Sequence, residues 1–65
     1  MYGQRIKEAR KACGLTQRQL AEKLFITQSA IGKYEREELQ PNIPMIIKIC
    51  KTLDVSADYL LGLED

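Results

Sequence analysis

The sequence predicts an all-α fold: a compact bundle of five short helices, the second and third joined by a tight turn. Three observations carry this. Apolar residues recur at three- and four-residue spacing along most of the chain, the period of helices with one buried face. Capping residues stand ahead of the second, third, fourth and fifth of these stretches. No strand pattern, repeat, linker or low-complexity run interrupts them. Sixty-five residues allow a single domain, 1–65, with one small core near the lower size limit for independent folding.

Taken in order, Tyr2, Ile6, Ala9 and Cys13 stand at i, i+4, i+7 and i+11 and define a first helix that ends before Gly14. Leu15 follows as an anchor into the core. Thr16 and Gln19 form a T-x-x-Q capping box, in which the hydroxyl accepts from an early backbone N–H and the glutamine reaches back. Leu20, Ala21 and Leu24 make the apolar face of this second helix. The small Ala21 lets it cross its neighbour closely, as so short a connection demands. Thr27 caps a third helix that turns Ile31 and Tyr34 inward. Residues 37–41 read as a loop. Asn42 then caps a fourth helix with Pro44 in its first turn, where a missing N–H costs little. Its apolar stripe is wide: Ile43, Ile46, Ile47, Cys50 and Leu53. Ser56 caps a last short helix, with Asp58 favourably placed against the helix dipole, and Tyr59, Leu60 and Leu61 precede Gly62.

The outward face of the third helix makes the functional case. At about 100° per residue, Gln28, Ser29, Gly32, Lys33 and Arg36 fall within an arc of roughly 140°, opposite Ala30, Ile31 and Tyr34. That arc holds amide, hydroxyl and cationic groups and no carboxylate. Glutamine bonds bidentately to adenine, and lysine suits guanine or a phosphate. A polar arc alone is what any solvated helix shows. Two caps, a short turn and an acid-free face together point to double-stranded DNA.

These segments resemble the phage repressor and Cro family of helix-turn-helix proteins. The resemblance runs from Tyr2 to Gly62 and rests on R-I-K-E-A-R at 5–10, G-L-T-Q at 14–17, L-A-E-K-L at 20–24, I-T-Q-S-A-I at 26–31, K-Y-E at 33–35 and L-D-V-S-A-D-Y-L-L-G at 53–62. It implies a lambda-repressor-like DNA-binding domain with the helix-turn-helix in helices 2 and 3. It further implies a transcriptional regulator, most often a repressor, that binds a palindromic operator as a dimer. On this resemblance Thr27, Gln28 and Ser29 open the recognition helix, with Gln28 reading a base and Ser29 and Lys33 reading bases or holding phosphates. Gln17 matches a phosphate clamp at the start of helix 2. Arg10 and Glu35 match an ion pair between helices 1 and 3 that orients rather than contacts DNA. The chain departs from the pattern at Phe25, where the turn usually has glycine, and at Gly32 in mid-helix. Glu37 and Glu38 replace a glycine and a basic residue, and their carboxylates should repel the DNA backbone.

Charge distribution agrees with this reading better than the net charge of +1 does. Residues 1–36 hold eight Lys/Arg against three Asp/Glu, or +5; residues 37–65 hold two against six, or −4. The positive half carries the helix-turn-helix, as attraction to phosphates requires. Arg5, Lys7, Lys11, Arg18 and Lys23 read as solvated charges. No histidine occurs, and Cys13 and Cys50 are far apart, so no metal site is expected and no cofactor is implied. Cys50, in an apolar run, reads as a small buried thiol; a disulfide to Cys13 stays open in principle. With no signal segment and no apolar run of membrane-spanning length, the expected location is cytoplasmic.

Tyr59, Leu60, Leu61 and Leu63 place four large apolar side chains in a five-residue tail, more than one short helix easily buries. A weak two-fold homodimer through Leu60, Leu61 and Leu63 is therefore expected. The second hypothesis is a protein-interaction module, an antitoxin-like or anti-repressor partner whose DNA face is weakened; Phe25, Gly32, Glu37 and Glu38 favour it. An enzyme has almost no support: there is no histidine, no paired catalytic carboxylates in a cleft and no phosphate-cradling glycine loop.

Overall fold

The computed structural model describes residues 2–63. Its five helices are α1 (Tyr2–Ala12), α2 (Gln17–Leu24), α3 (Gln28–Glu35), α4 (Ile43–Leu53) and α5 (Ala57–Leu61). Each expected cap is made. Thr16 Oγ1 accepts from the Gln19 N–H at 3.0 Å while Gln19 Oε1 accepts from the Thr16 N–H at 2.9 Å, which completes the box. Thr27, Asn42 and Ser56 accept in the same way from the N–H groups of Ala30, Met45 and Tyr59 at 2.9–3.1 Å.

The helix ends share one device. Just past each helix a residue lies in the left-handed region: Gly14, Phe25, Glu37, Asp54 and Gly62. The following N–H then reaches back to a carbonyl of the last turn, Leu15 to Arg10, Ile26 to Ala21, Glu38 to Lys33, Val55 to Cys50 and Leu63 to Asp58, at 2.8–3.1 Å. Glycine takes this conformation freely. Asp54 takes it more readily than most residues, whereas Phe25 and Glu37 each carry about 1–2 kcal/mol of backbone strain.

α1 packs on α3, α4 and α5, and α2 packs on α3 and α4. The core between them holds Ile6, Leu20, Leu24, Ile31, Ile49 and Leu60 fully enclosed. Each such side chain contributes about 1.5–3 kcal/mol of hydrophobic stabilisation. Leu15 is half-buried against this cluster, as an anchor should be.

Two expectations are corrected here. The stripe of α4 is narrower than its sequence suggests: Ile46, Ile49, Cys50 and Leu53 are buried, whereas Ile43 is 72% exposed and Ile47 is also exposed. These two stand about 70° and 110° from the centre of the buried line, beyond the reach of the packed helices. The tail also divides differently. Leu60 is 0% exposed and closes the core, so it offers nothing to a partner; Leu61 is half-buried, and only Leu63, at 72%, stands free in solvent. α5 packs against both α1 and α4, and that gives Leu60 a covered site the sequence alone does not reveal.

Cys50 is buried, and burial pushes its thiol pKa up. Cys13 is exposed, its Sγ donating to the Leu53 carbonyl at 3.4 Å, and the two thiols are unpaired with each other. Among the described residues no helix is long and apolar enough to cross a membrane.

Candidate nucleic-acid interface

The position of α3 is fixed by α1 before any DNA is considered. At Gly3 a Cβ would stand 2.6 Å from the Tyr34 carbonyl oxygen and 2.8 Å from that of Glu35. Only glycine lets the start of α1 meet the end of α3 so closely. Nothing in the sequence pattern marks this residue, which lies between Tyr2 and Ile6 with no turn signal around it.

Two turns further along α1, Arg10 reaches Glu35. Its Nε donates to Oε2 at 2.6 Å and its Nη2 to Oε1 at 3.1 Å, while Nη1 donates to the Leu15 carbonyl at 2.8 Å. Both side chains are almost wholly withdrawn from water. The expected ion pair between the first and third helices is thus present, and it extends to the second. Gln17, the first residue of α2, donates from Nε2 to Glu35 Oε1 at 3.0 Å. Its amide is oriented from within the protein, while the first N–H groups of α2 lack partners in their own helix.

Glu35 is the sole carboxylate of α3, and it points inward. The outward residues Gln28, Ser29 and Lys33 are exposed, as is Thr27 at the cap and Arg36 just after the helix, whereas Ile31, Gly32 and Tyr34 are buried. The face expected from the helical period is therefore assembled, with one change. Gly32 is not an open gap in it. The three atoms nearest to where its Cβ would stand all belong to the Arg36 guanidinium, the closest being Nη1 at 2.9 Å.

Arg36 in turn is held by Glu38, with Nε to Oε2 at 2.7 Å and Nη2 to Oε1 at 3.5 Å. The hydrogen bond and charge of Arg36 hold the Glu38 carboxyl below the usual carboxylate range, with Lys33 adding to the effect. The same bond and charge raise the pKa of Arg36. The sequence presents Glu38 as a bare repulsive charge; in the structure it is a paired one. Sequence reasoning missed the pair because residues two apart across a helix end face each other only when the chain reverses between them, and Glu37 supplies that reversal. Arg5, expected to be solvated, is half-buried and stacks on the Tyr59 ring at 5.0 Å from its centroid, while Arg18 lies 3.8 Å from Glu22 along the exposed side of α2.

Residues 6–60 match the helix-turn-helix family model. An uncharacterized HTH-type transcriptional regulator of Bacillus subtilis, YobD, is 46% identical over 65 residues, covering 100% of this chain and 58% of its own length. The chain spans about half the length of the curated relatives it matches. Among solved structures, the biofilm regulator SinR in complex with DNA superposes with a TM-score of 0.87 at 40% identity, covering 94% of this chain and 98% of that one. The P22 c2 repressor in complex with a synthetic operator superposes with a TM-score of 0.86 at 33% identity, covering 92% and 91%.

Proposed function

This chain belongs to the helix-turn-helix family, and we propose that it is a sequence-specific double-stranded DNA-binding domain of a transcriptional regulator of the phage-repressor type. The observation that carries the reading is the division of α3: its one carboxylate is turned into the protein and its outer side offers amide, hydroxyl and cationic groups. Gln28 reads a base edge, Ser29 and Lys33 contact bases or phosphates, and Thr27 and Arg36 flank them. Gln17 and the N-terminus of α2 grip a phosphate, with the amide of Gln17 oriented by Glu35. Arg10 and Glu35 position the helix and do not touch DNA.

The protein acts in the cytoplasm by occupancy of its site and performs no chemistry. Two copies bind a palindrome, with half-sites about one duplex turn or ~34 Å apart. With Leu60 enclosed, the apolar contribution of the tail to that dimer falls to Leu61 and Leu63. A weakened DNA face has less support, because Phe25 and Glu37 serve to close helices.

Selection of binding sites from random duplex DNA tests the reading. A recovered palindromic sequence, bound more tightly than its scrambled form and released steeply by salt, is the expected result. Failure to retain any duplex, or equal retention of the scrambled one, would sink it.

A further inference from the structure

We propose that Glu38 restrains DNA binding by acting through Arg36: in the free protein it occupies the guanidinium fork, and binding exchanges its carboxylate for a phosphate oxygen or a guanine edge. The inference rests on the DNA-binding reading above and adds to it an internal competitor for one of the residues that flank the reading face.

Three features converge on the pair. The first is the geometry of the contact. Two nitrogens of one guanidinium face two oxygens of one carboxylate, at 2.7 and 3.5 Å. This is the edge that arginine offers to a phosphate or to the O6 and N7 of guanine. It cannot serve both partners at once. The second is the backbone that delivers Glu38. Glu37 takes a left-handed conformation with φ of 62°, and the Glu38 N–H is bonded to the Lys33 carbonyl at 2.8 Å. The Leu39 N–H reaches the same carbonyl at 3.3 Å. The carboxylate is thus set beside the end of α3 by main-chain bonds, unlike a chance pairing of two long surface side chains.

The third feature is where the guanidinium rests. It lies back along α3 over Gly32, with Nη1 2.9 Å from where a Cβ would stand. Gln28, Gly32 and Arg36 follow one another at four-residue intervals along the outer face, so the parked group covers the middle of that line. Glycine leaves the room, the reversal at Glu37 brings the acid, and the acid holds the arginine down.

A double-mutant cycle tests this, with binding of wild type, Glu38→Gln, Arg36→Ala and the double variant measured on the selected site and on a random duplex of equal length. Both substitutions fall on exposed side chains, and helix content by circular dichroism checks that the fold persists. Glu38→Gln should strengthen binding about two- to fivefold when Arg36 is present and leave it unchanged in the Arg36→Ala background. A gain on both duplexes identifies a phosphate as the exchange partner, and a gain confined to the selected site identifies a guanine edge. An equal gain in both backgrounds would mean a carboxylate that repels DNA through space, and overturns the proposal. So would weaker binding by Glu38→Gln, since the pair would then be presenting Arg36 to DNA. A wild-type protein that binds neither duplex removes the DNA-binding reading itself, whereas binding with no coupling in the cycle removes only the restraint.

Discussion

Glu35 and Arg36 are neighbours in the chain, and each is half of an arginine–glutamate pair, yet the two pairs do opposite work. The inner pair, Arg10 with Glu35, is buried and multiply bonded: Arg10 and Gln17 send three hydrogen bonds to one carboxylate, and Arg10 sends a fourth to a main-chain carbonyl. The outer pair, Arg36 with Glu38, stands more than half exposed and has water as a ready alternative. One residue, or about 100° of helix, separates them. Burial decides the difference. A charge enclosed among three helices has no other partner and so fixes their arrangement, while an exposed pair can be exchanged for a ligand.

The comparison can be broken most severely at Glu35. Glu35→Ala strands the Arg10 guanidinium without its counter-charge and should cost about 3–5 kcal/mol, a large part of what so small a domain possesses. Urea unfolding measures it. Replacing both partners, Arg10→Met with Glu35→Leu, should recover most of that loss; a double variant as unstable as the single one would show that orientation by charge, beyond mere pairing, holds α3 in place.

Gln28→Ala sharpens the contrast from the outer side. It should weaken binding to the selected site by about 1–3 kcal/mol and relax preference at one base pair, with the unfolding midpoint unchanged. Equal losses on selected and random duplexes would contradict a base-reading role. Glu38→Lys should act more weakly: beyond the release of Arg36, its added charge should raise affinity for every duplex and steepen the logarithmic salt dependence by about 0.9 per added phosphate contact. An unaltered slope would place the loop away from DNA.

The smallest effect concerns acid. Because the folded-state pKa of Glu38 is depressed, its stabilising contribution is complete above the ordinary glutamate value and is lost as pH falls through the lower folded value. The difference in melting temperature between wild type and Glu38→Gln should therefore be constant near neutrality and vanish below the usual carboxylate range. A difference that persists there would mean the side chain stabilises by packing.

Much of this architecture was legible because caps are local. Thr16, Thr27, Asn42 and Ser56 need only the N–H groups three residues ahead, and all four helices start where the sequence says. Helix ends were harder to read. Gly14 and Gly62 announce a left-handed closure, but Phe25, Glu37 and Asp54 adopt the same conformation without glycine's signature. Breadth of burial was not legible either. Periodicity orders the residues of α4 around its axis without saying how wide a sector its neighbours cover, so it puts Ile43 and Ile47 inside although both are exposed. Of the site, the outward residues of α3 and the Arg10–Glu35 pair could be anticipated, the pair through the family resemblance. The link from Gln17 to Glu35 and the parking of Arg36 over Gly32 depend on the crossing of helices and on the turn at Glu37, which no spacing rule records.

Gly3 and Arg10 lie seven residues apart on α1, about 10 Å along its axis, and both bear on the last turn of α3. A helix gripped at two points by a second helix can neither roll about its axis nor swing at its end unless the second moves with it. The freedom of α3 has thus been surrendered during folding, and on the proposed reading little remains to be surrendered at an encounter with DNA. Ordering then falls on side chains alone, chiefly the long ones of Gln28, Lys33 and Arg36. Amide hydrogens of α3 should accordingly exchange with solvent at the rate set by opening of the whole domain, bound or free.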